Sequence, residues 1–160
     1  MKSLIVYASQ SGNTRKLATA VYDSLEGEKE LCAIDQAPSG DLAYDLVAVG
    51  FWLQAGKPDP KTEAFLKACR TTAKMFFFAT HGAAKGSDHA RGAMEYAVSL
   101  VNGATVIGTY SCQGEVNPKV LEKIKQKDAP PPWLHEADDA VGHPDDQDIA
   151  ELKAALKKAL

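Results

Sequence analysis

No run in this sequence approaches the ~20 consecutive apolar residues that a bilayer-spanning helix needs. The opening Met1-Lys2-Ser3-Leu4-Ile5-Val6-Tyr7 breaks at the polar Ser9-Gln10-Ser11, too soon for the core of a secretory signal. A basic excess is also absent. The net charge is −3, which invites neither nucleic acid nor a membrane surface and would mildly favour a basic partner. Cysteine is scarce: Cys32, Cys69 and Cys112 are odd in number, far apart and free of any Cys-x-x-Cys spacing. That excludes a disulfide framework and a paired redox motif, and it fits buried thiols in a reducing, cytoplasmic setting. The first strand is not followed by Gly-x-Gly-x-x-Gly, so the dinucleotide fingerprint is missing. The stretch His135-Glu136-Ala137-Asp138-Asp139 through His143-Pro144-Asp145-Asp146 matches no zinc or calcium spacing, and no metal is expected.

What is present is an ordinary globular composition, 45% hydrophobic and 24% charged over 160 residues, enough for one domain spanning 1–160. Short apolar runs alternate with amphipathic segments. Strands are expected at Ser3–Tyr7, Glu30–Asp35, Asp45–Gly50, Met75–Ala79 and Thr105–Tyr110, the fourth (Met-Phe-Phe-Phe-Ala) central because it is the most hydrophobic. Helical spacing runs from Thr14 to Leu25, from Pro60 to Arg70, from Arg91 to Val101 and from Pro118 to Lys127. A last helix begins near Pro144-Asp145, with acids in its first turn. Pro130-Pro131-Pro132-Trp133 should interrupt regular structure. Alternating strands and helices imply right-handed crossovers, a parallel sheet and a ligand site beyond the carboxyl ends of the strands.

The loop after the first strand is the most informative segment. Ser9, Gln10, Ser11, Gly12, Asn13 and Thr14 stand directly between a buried strand and a helix. A phosphate there would meet free backbone N–H groups, the positive end of the helix dipole, three hydroxyls and an amide. No lysine lies inside the loop, unlike a Walker-type loop. The plainer reading is a polar turn that caps a helix.

Leu4-Ile5-Val6-Tyr7-Ala8-Ser9-Gln10-Ser11-Gly12-Asn13-Thr14 resembles the opening of the flavodoxins, whose loop Ser/Thr-x-Thr/Ser-Gly-x-Thr cradles the 5′-phosphate of FMN. Length, alternation and Asp45-Leu-Val-Ala-Val-Gly50 extend the resemblance over nearly the whole chain. It implies a doubly wound three-layer α/β sandwich with a five-stranded parallel sheet, the flavodoxin-like order, and FMN as cofactor. Two further loops would then hold the ring. In Phe51-Trp52-Leu53-Gln54, Trp52 is the candidate to stack on the isoalloxazine, worth about 1 kcal/mol beyond area burial, or else it fills core. In Thr80-His81-Gly82-Ala83, continuing to Gly86 and Ser87, backbone groups would reach the pyrimidine edge. His81 would donate to a flavin carbonyl or simply face solvent. The family commonly carries acids and a stacking tyrosine here; this chain has neither before Asp88, which leaves the ring more open. By position Tyr110-Ser111-Cys112-Gln113-Gly114 could also approach the flavin, while Cys112 lacks a His or Cys neighbour that would activate it.

The resemblance implies an electron carrier, a monomer or weak dimer, shuttling between a reductase and an oxidoreductase with no catalytic side chain of its own. The alternative is an NAD(P)H-dependent quinone or flavin reductase of the wider superfamily. A third reading, a binding module without cofactor, sits badly with the intact first loop.

Overall fold

The computed structural model describes residues 1–160. Its strands are β1 (Lys2–Tyr7), β2 (Glu28–Ala33), β3 (Leu46–Gln54), β4 (Lys57–Pro58), β5 (Lys74–His81) and β6 (Thr105–Gln113). The helices are α1 (Asn13–Ser24), α2 (Pro60–Ala68), α3 (Asp88–Ser99), α4 (Pro118–Lys125) and α5 (Asp146–Ala159). Five strands form a parallel sheet in the order β2-β1-β3-β5-β6, the doubly wound arrangement expected from the resemblance. No helix is long and apolar enough to cross a membrane.

Both sheet faces are covered because the middle of each central strand is apolar and buried: Leu4 to Val6 of β1, Leu46 to Val49 of β3 and Met75 to Ala79 of β5. Leu4, Val6, Val47, Val49, Phe51, Met75 and Phe77 point to one side, where Leu66 of α2 and Met94 and Ala97 of α3 meet them. Ile5, Leu46, Ala48, Phe76 and Phe78 point to the other, against Leu17 and Val21 of α1 and Leu152 and Leu156 of α5. The period-2 alternation of a strand thus sorts one continuous hydrophobic run into two cores.

Three strands run past their expected ends, all toward the carboxyl edge. β3 continues to Gln54 and turns back as a hairpin, with Leu53 paired to Pro58 and Gln54 to Lys57. The turn residues Ala55 and Gly56 both have positive φ, 52° and 75°, as a two-residue turn of the primed type demands. The stretch expected to be a loop is therefore largely sheet. β5 extends to His81 and β6 to Gln113, and these two residues pair. After α4, the proline segment passes into a 3₁₀ run, Pro132–Ala140.

Gly50 is where the sheet tolerates no side chain: a Cβ there would lie 2.2 Å from Cε2 of Phe78, itself fully buried. Gly50→Ala should destabilise the fold by about 1–3 kcal/mol through overpacking, read by chemical denaturation.

Candidate functional site

The carboxyl edge opens into a cavity of about 600 Å³ lined by Ser9, Gln10, Ser11, Asn13 and Thr14 after β1, Trp52 to Ala55 from the β3 hairpin, and Thr80 to Ala83 around the end of β5. The segment after β6 closes the remaining side with Gly114, Val116, Val120, Ile124 and Trp133. The three stretches singled out in the sequence thus meet in one place, joined by a fourth.

Beside β1, Gly12 stands at the cap position of α1, in the left-handed region with φ 94° and open space around it. No side chain caps this helix and no acid stands in its first turn. The other four helices each have a side-chain cap: Asp59, Ser87, Asn117 and Asp145. The first amides of α1 have no intrahelical acceptor, so the positive helix end is left for an anion. Gly12 N–H donates to Ser9 Oγ at 3.1 Å, which leaves the Ser9 hydroxyl proton free to point outward. Ser11 is exposed.

Two members of this loop already have partners. Asn13 Nδ2 donates to the Glu115 carbonyl at 3.0 Å, tying the first loop to the segment after β6. The close approach requires glycine at 114, where a Cβ would fall 2.7 Å from that amide nitrogen. Thr14, 1% exposed, pairs its hydroxyl with that of Thr80 at 3.0 Å and so stitches the first loop to β5.

Trp52 is half-buried on β3, paired in register with Thr80, and lines the cavity. Phe51, expected beside it, does not: the alternation of the strand turns it into the core, fully buried and edge-on to Phe77 at 6.3 Å. Gly86 and Ser87 also lie off the cavity. Gly86 turns the chain with φ 71°, and Ser87 accepts from Ala90 N–H as the cap of α3. Trp133 was not anticipated, because its place beside Gly82 depends on a long-range fold-back; a Cβ on Gly82 would sit 2.8 Å from its ring. The only local hint was an aromatic residue directly after three prolines.

His81 is not a solvent-facing loop residue. It ends β5, is 6% exposed, and its Nδ1 lies 2.9 Å from the Ala83 carbonyl. That carbonyl fixes Nδ1 as the protonated nitrogen and leaves Nε2 buried without a partner. Burial pushes its pKa down to about 4, opposed by the Ala83 carbonyl and Glu136 and helped by His89 and Lys85. Cys112 is fully buried and its thiol is pushed up to about 12, first by burial and then by the charge of Asp148, so it stays protonated. Away from the cavity, His143, Asp145 and Asp148 form a compact group. Asp145 and Asp148 exchange backbone and side-chain hydrogen bonds as the capping box of α5, with His143 Nδ1 held at 2.6 Å.

A parallel sheet with an uncapped helix end and neutral donors at the point where strand order reverses defines a doubly wound α/β protein with a candidate anion site. The pattern of the flavodoxin domain matches residues 4–157, and the chain belongs to that family. Among curated proteins it is 26% identical to the flavodoxin-like domain-containing protein BilS of Clostridioides difficile (strain CD3), covering all of this chain and 97% of that one. A flavoprotein from Lactobacillus acidophilus NCFM, solved in complex with FMN, is 20% identical with a TM-score of 0.53 over 69% of this chain and 92% of its own. An azoreductase from Bacillus anthracis str. Sterne is 12% identical with a TM-score of 0.61 over 99% of both chains. These two likenesses show the fold.

The buried neutral His81 makes stability depend on pH in a stated direction. Between about pH 6.5 and 4 the unfolded chain takes up a proton that the folded one refuses, so stability is complete above this window and lost as pH falls through it. The loss should be on the order of 3 kcal/mol, read by urea denaturation at neutral and acid pH. His81→Phe should flatten that dependence; an unchanged acid slope in this variant would show that other groups cause it.

Proposed function

We propose that the cavity holds FMN and that the protein carries electrons between a reductase and an oxidoreductase. The uncapped, acid-free N-terminus of α1 carries this reading: with the hydroxyls of Ser9 and Ser11, both of which line the cavity, it offers one terminal phosphate a set of neutral donors. Thr14 and Thr80 hold the first loop against β5, one hydroxyl donating to the other, and the accepting hydroxyl keeps its own proton for a further partner. Between Trp52 and the segment bearing Trp133, the apolar part of the cavity suits a planar ring, with backbone groups of Gly82 and Ala83 at its edge. When bound, FMN supplies the electron-transfer chemistry; the chain orients it and limits its contact with water. No side chain here is arranged as a general acid or base: His81 is held neutral and buried, and Cys112 is kept as a thiol.

A second reading, an NAD(P)H-dependent quinone or flavin reductase, draws support from one feature. The wall made by Val116, Val120 and Ile124 adds apolar room next to the tryptophans that a flat substrate could occupy. Stopped-flow mixing of the FMN-loaded protein with NADH and NADPH separates the two, since rapid direct reduction belongs to the enzyme.

The protein should purify yellow, and mass analysis of the released cofactor should give FMN; FAD as the main species would overturn the assignment. Trp52→Ala should weaken FMN binding by on the order of 1–2 kcal/mol and raise the emission of bound flavin. If the apo variant instead loses about 3–5 kcal/mol of folding stability, Trp52 is a core residue.

A further inference from the structure

The chain has two tryptophans, Trp52 and Trp133, and both line the same cavity. Trp52 comes from β3. Trp133 stands at the start of the 3₁₀ run after the prolines, and its ring lies over Gly82, the residue that follows β5. The segment from Thr80 to Ser87 holds no Phe, Tyr or Trp of its own. The aromatic surface at that end of the cavity is therefore brought in by a distant part of the chain.

Three features hold this indole in place. A Cβ on Gly82 would lie 2.8 Å from Trp133 Cζ3 and 3.0 Å from Val116 Cγ2, so the ring reaches the loop after β5 only because glycine stands there. Pro130, Pro131 and Pro132 have their φ fixed by the ring, so little backbone freedom is left to lose when Trp133 is set in position. Three residues further on, the Glu136 side chain accepts from Ala84 N–H, and the Glu136 carbonyl accepts from Gln113 Nε2 at 3.3 Å. The run is thus tied both to the loop after β5 and to β6, with Ala137 and Ala140 buried beneath it. Trp133 itself is left half-buried. A firmly anchored indole with part of its surface open to a cavity is suited to meeting a flat ring.

We propose that Trp133 covers one face of the bound isoalloxazine and, with Trp52 on the other, shuts hydride donors out, so that the flavin exchanges electrons without taking hydride. This rests on the FMN reading and names the residue that decides between the carrier and the reductase. Hydride transfer to a flavin needs the donor ring flat against the isoalloxazine, with its reacting carbon in contact with N5. An indole already stacked there occupies that position. Transfer of single electrons needs no such stacking. The cover thus acts by steric exclusion and requires no charged or titrating group.

The test uses the FMN-loaded full chain, kept free of oxygen, with two reductants. One is 1-benzyl-1,4-dihydronicotinamide, which passes a hydride from its C4 to flavin N5 and leaves as the pyridinium, the flavin gaining two electrons. It carries no nucleotide, so its rate reports access to the ring face and not a nucleotide site. The other is reduced methyl viologen, two of which give one electron each. The nicotinamide should bleach wild-type protein slowly. Trp133→Ala should raise that rate about tenfold or more and weaken FMN binding about tenfold. Trp133→Leu keeps more of the apolar volume, guards against a variant that fails to fold, and should raise the rate about threefold or more. Trp133→Phe restores a flat ring and should stay within about threefold of wild type in both measurements. Methyl viologen should reduce all four proteins alike. Hydride rates unchanged in the Ala and Leu variants, or an FMN affinity indifferent to Trp133, overturn the proposal. So does a viologen rate that climbs with the hydride rate, since the substitution would then have changed the flavin potential and not access to it. Protein that takes up no FMN sinks the FMN reading and the cover with it. FMN-loaded wild type that is bleached rapidly sinks the carrier and the cover together; slow bleaching of wild type and variants alike sinks the cover alone.

Discussion

The parallel pairing of β1 with β3 and of β3 with β5 positions everything else around the cavity. Tyr7 pairs with Gly50, Gly50 with Phe78 and Trp52 with Thr80, so three strands deliver their following residues to one edge at matched heights. The register is firm because both faces are buried: a slip by one residue would exchange the two cores and send the Phe78 ring into a different neighbour from Gly50. Two side-chain links then fix the loops to this frame, Thr14 to Thr80 across β5 and Asn13 to the backbone after β6. The positive end of α1 is thus aimed at the cavity by the sheet, while the loop supplies only the donors.

Such a helix end is costly to leave bare, which gives the contrast among the five helices its meaning. Four of them satisfy their first turn with an Asp, Ser or Asn side chain from their own sequence. In α1 the capping position is Gly12, which has no side chain to offer, and Ser9 is occupied as an acceptor of the Gly12 amide. Residues that would ordinarily cap a helix are present in this loop, yet none of their side chains caps α1. An anion with acceptor oxygens would complete the arrangement in a way that the chain itself does not.

How much of this could be read from the amino acids follows from the range of the interactions. The first loop was legible because its signal is local: strand, short polar donors, glycine and helix follow one another within a dozen residues. The sheet faces were legible from continuous apolar runs, whereas strand order came from family resemblance, since pairing is a long-range property. Strand ends were misjudged for a physical reason. Trp52, His81 and Gln113 look like loop residues by composition, but each has a neighbouring strand to pair with, and that pairing overrides local preference. The consequences reached the site: Phe51 became core, and His81 became a buried strand end. Trp133 and the apolar row of α4 were out of reach of local reading, because their function depends on a segment folding back across the mouth.

The two halves of the cavity differ in how firmly they are held, and this bears on how a ligand or partner would enter. The half formed by β1, β3 and β5 rests on residues with no exposure at all, so its geometry can change only if the core changes. The α4 half rests on half-buried contacts, with no residue of the helix buried and a stretch of prolines leading away from it. Local opening costs least where few apolar contacts are lost, so motion at the mouth should be drawn from α4 rather than from the loop after β1.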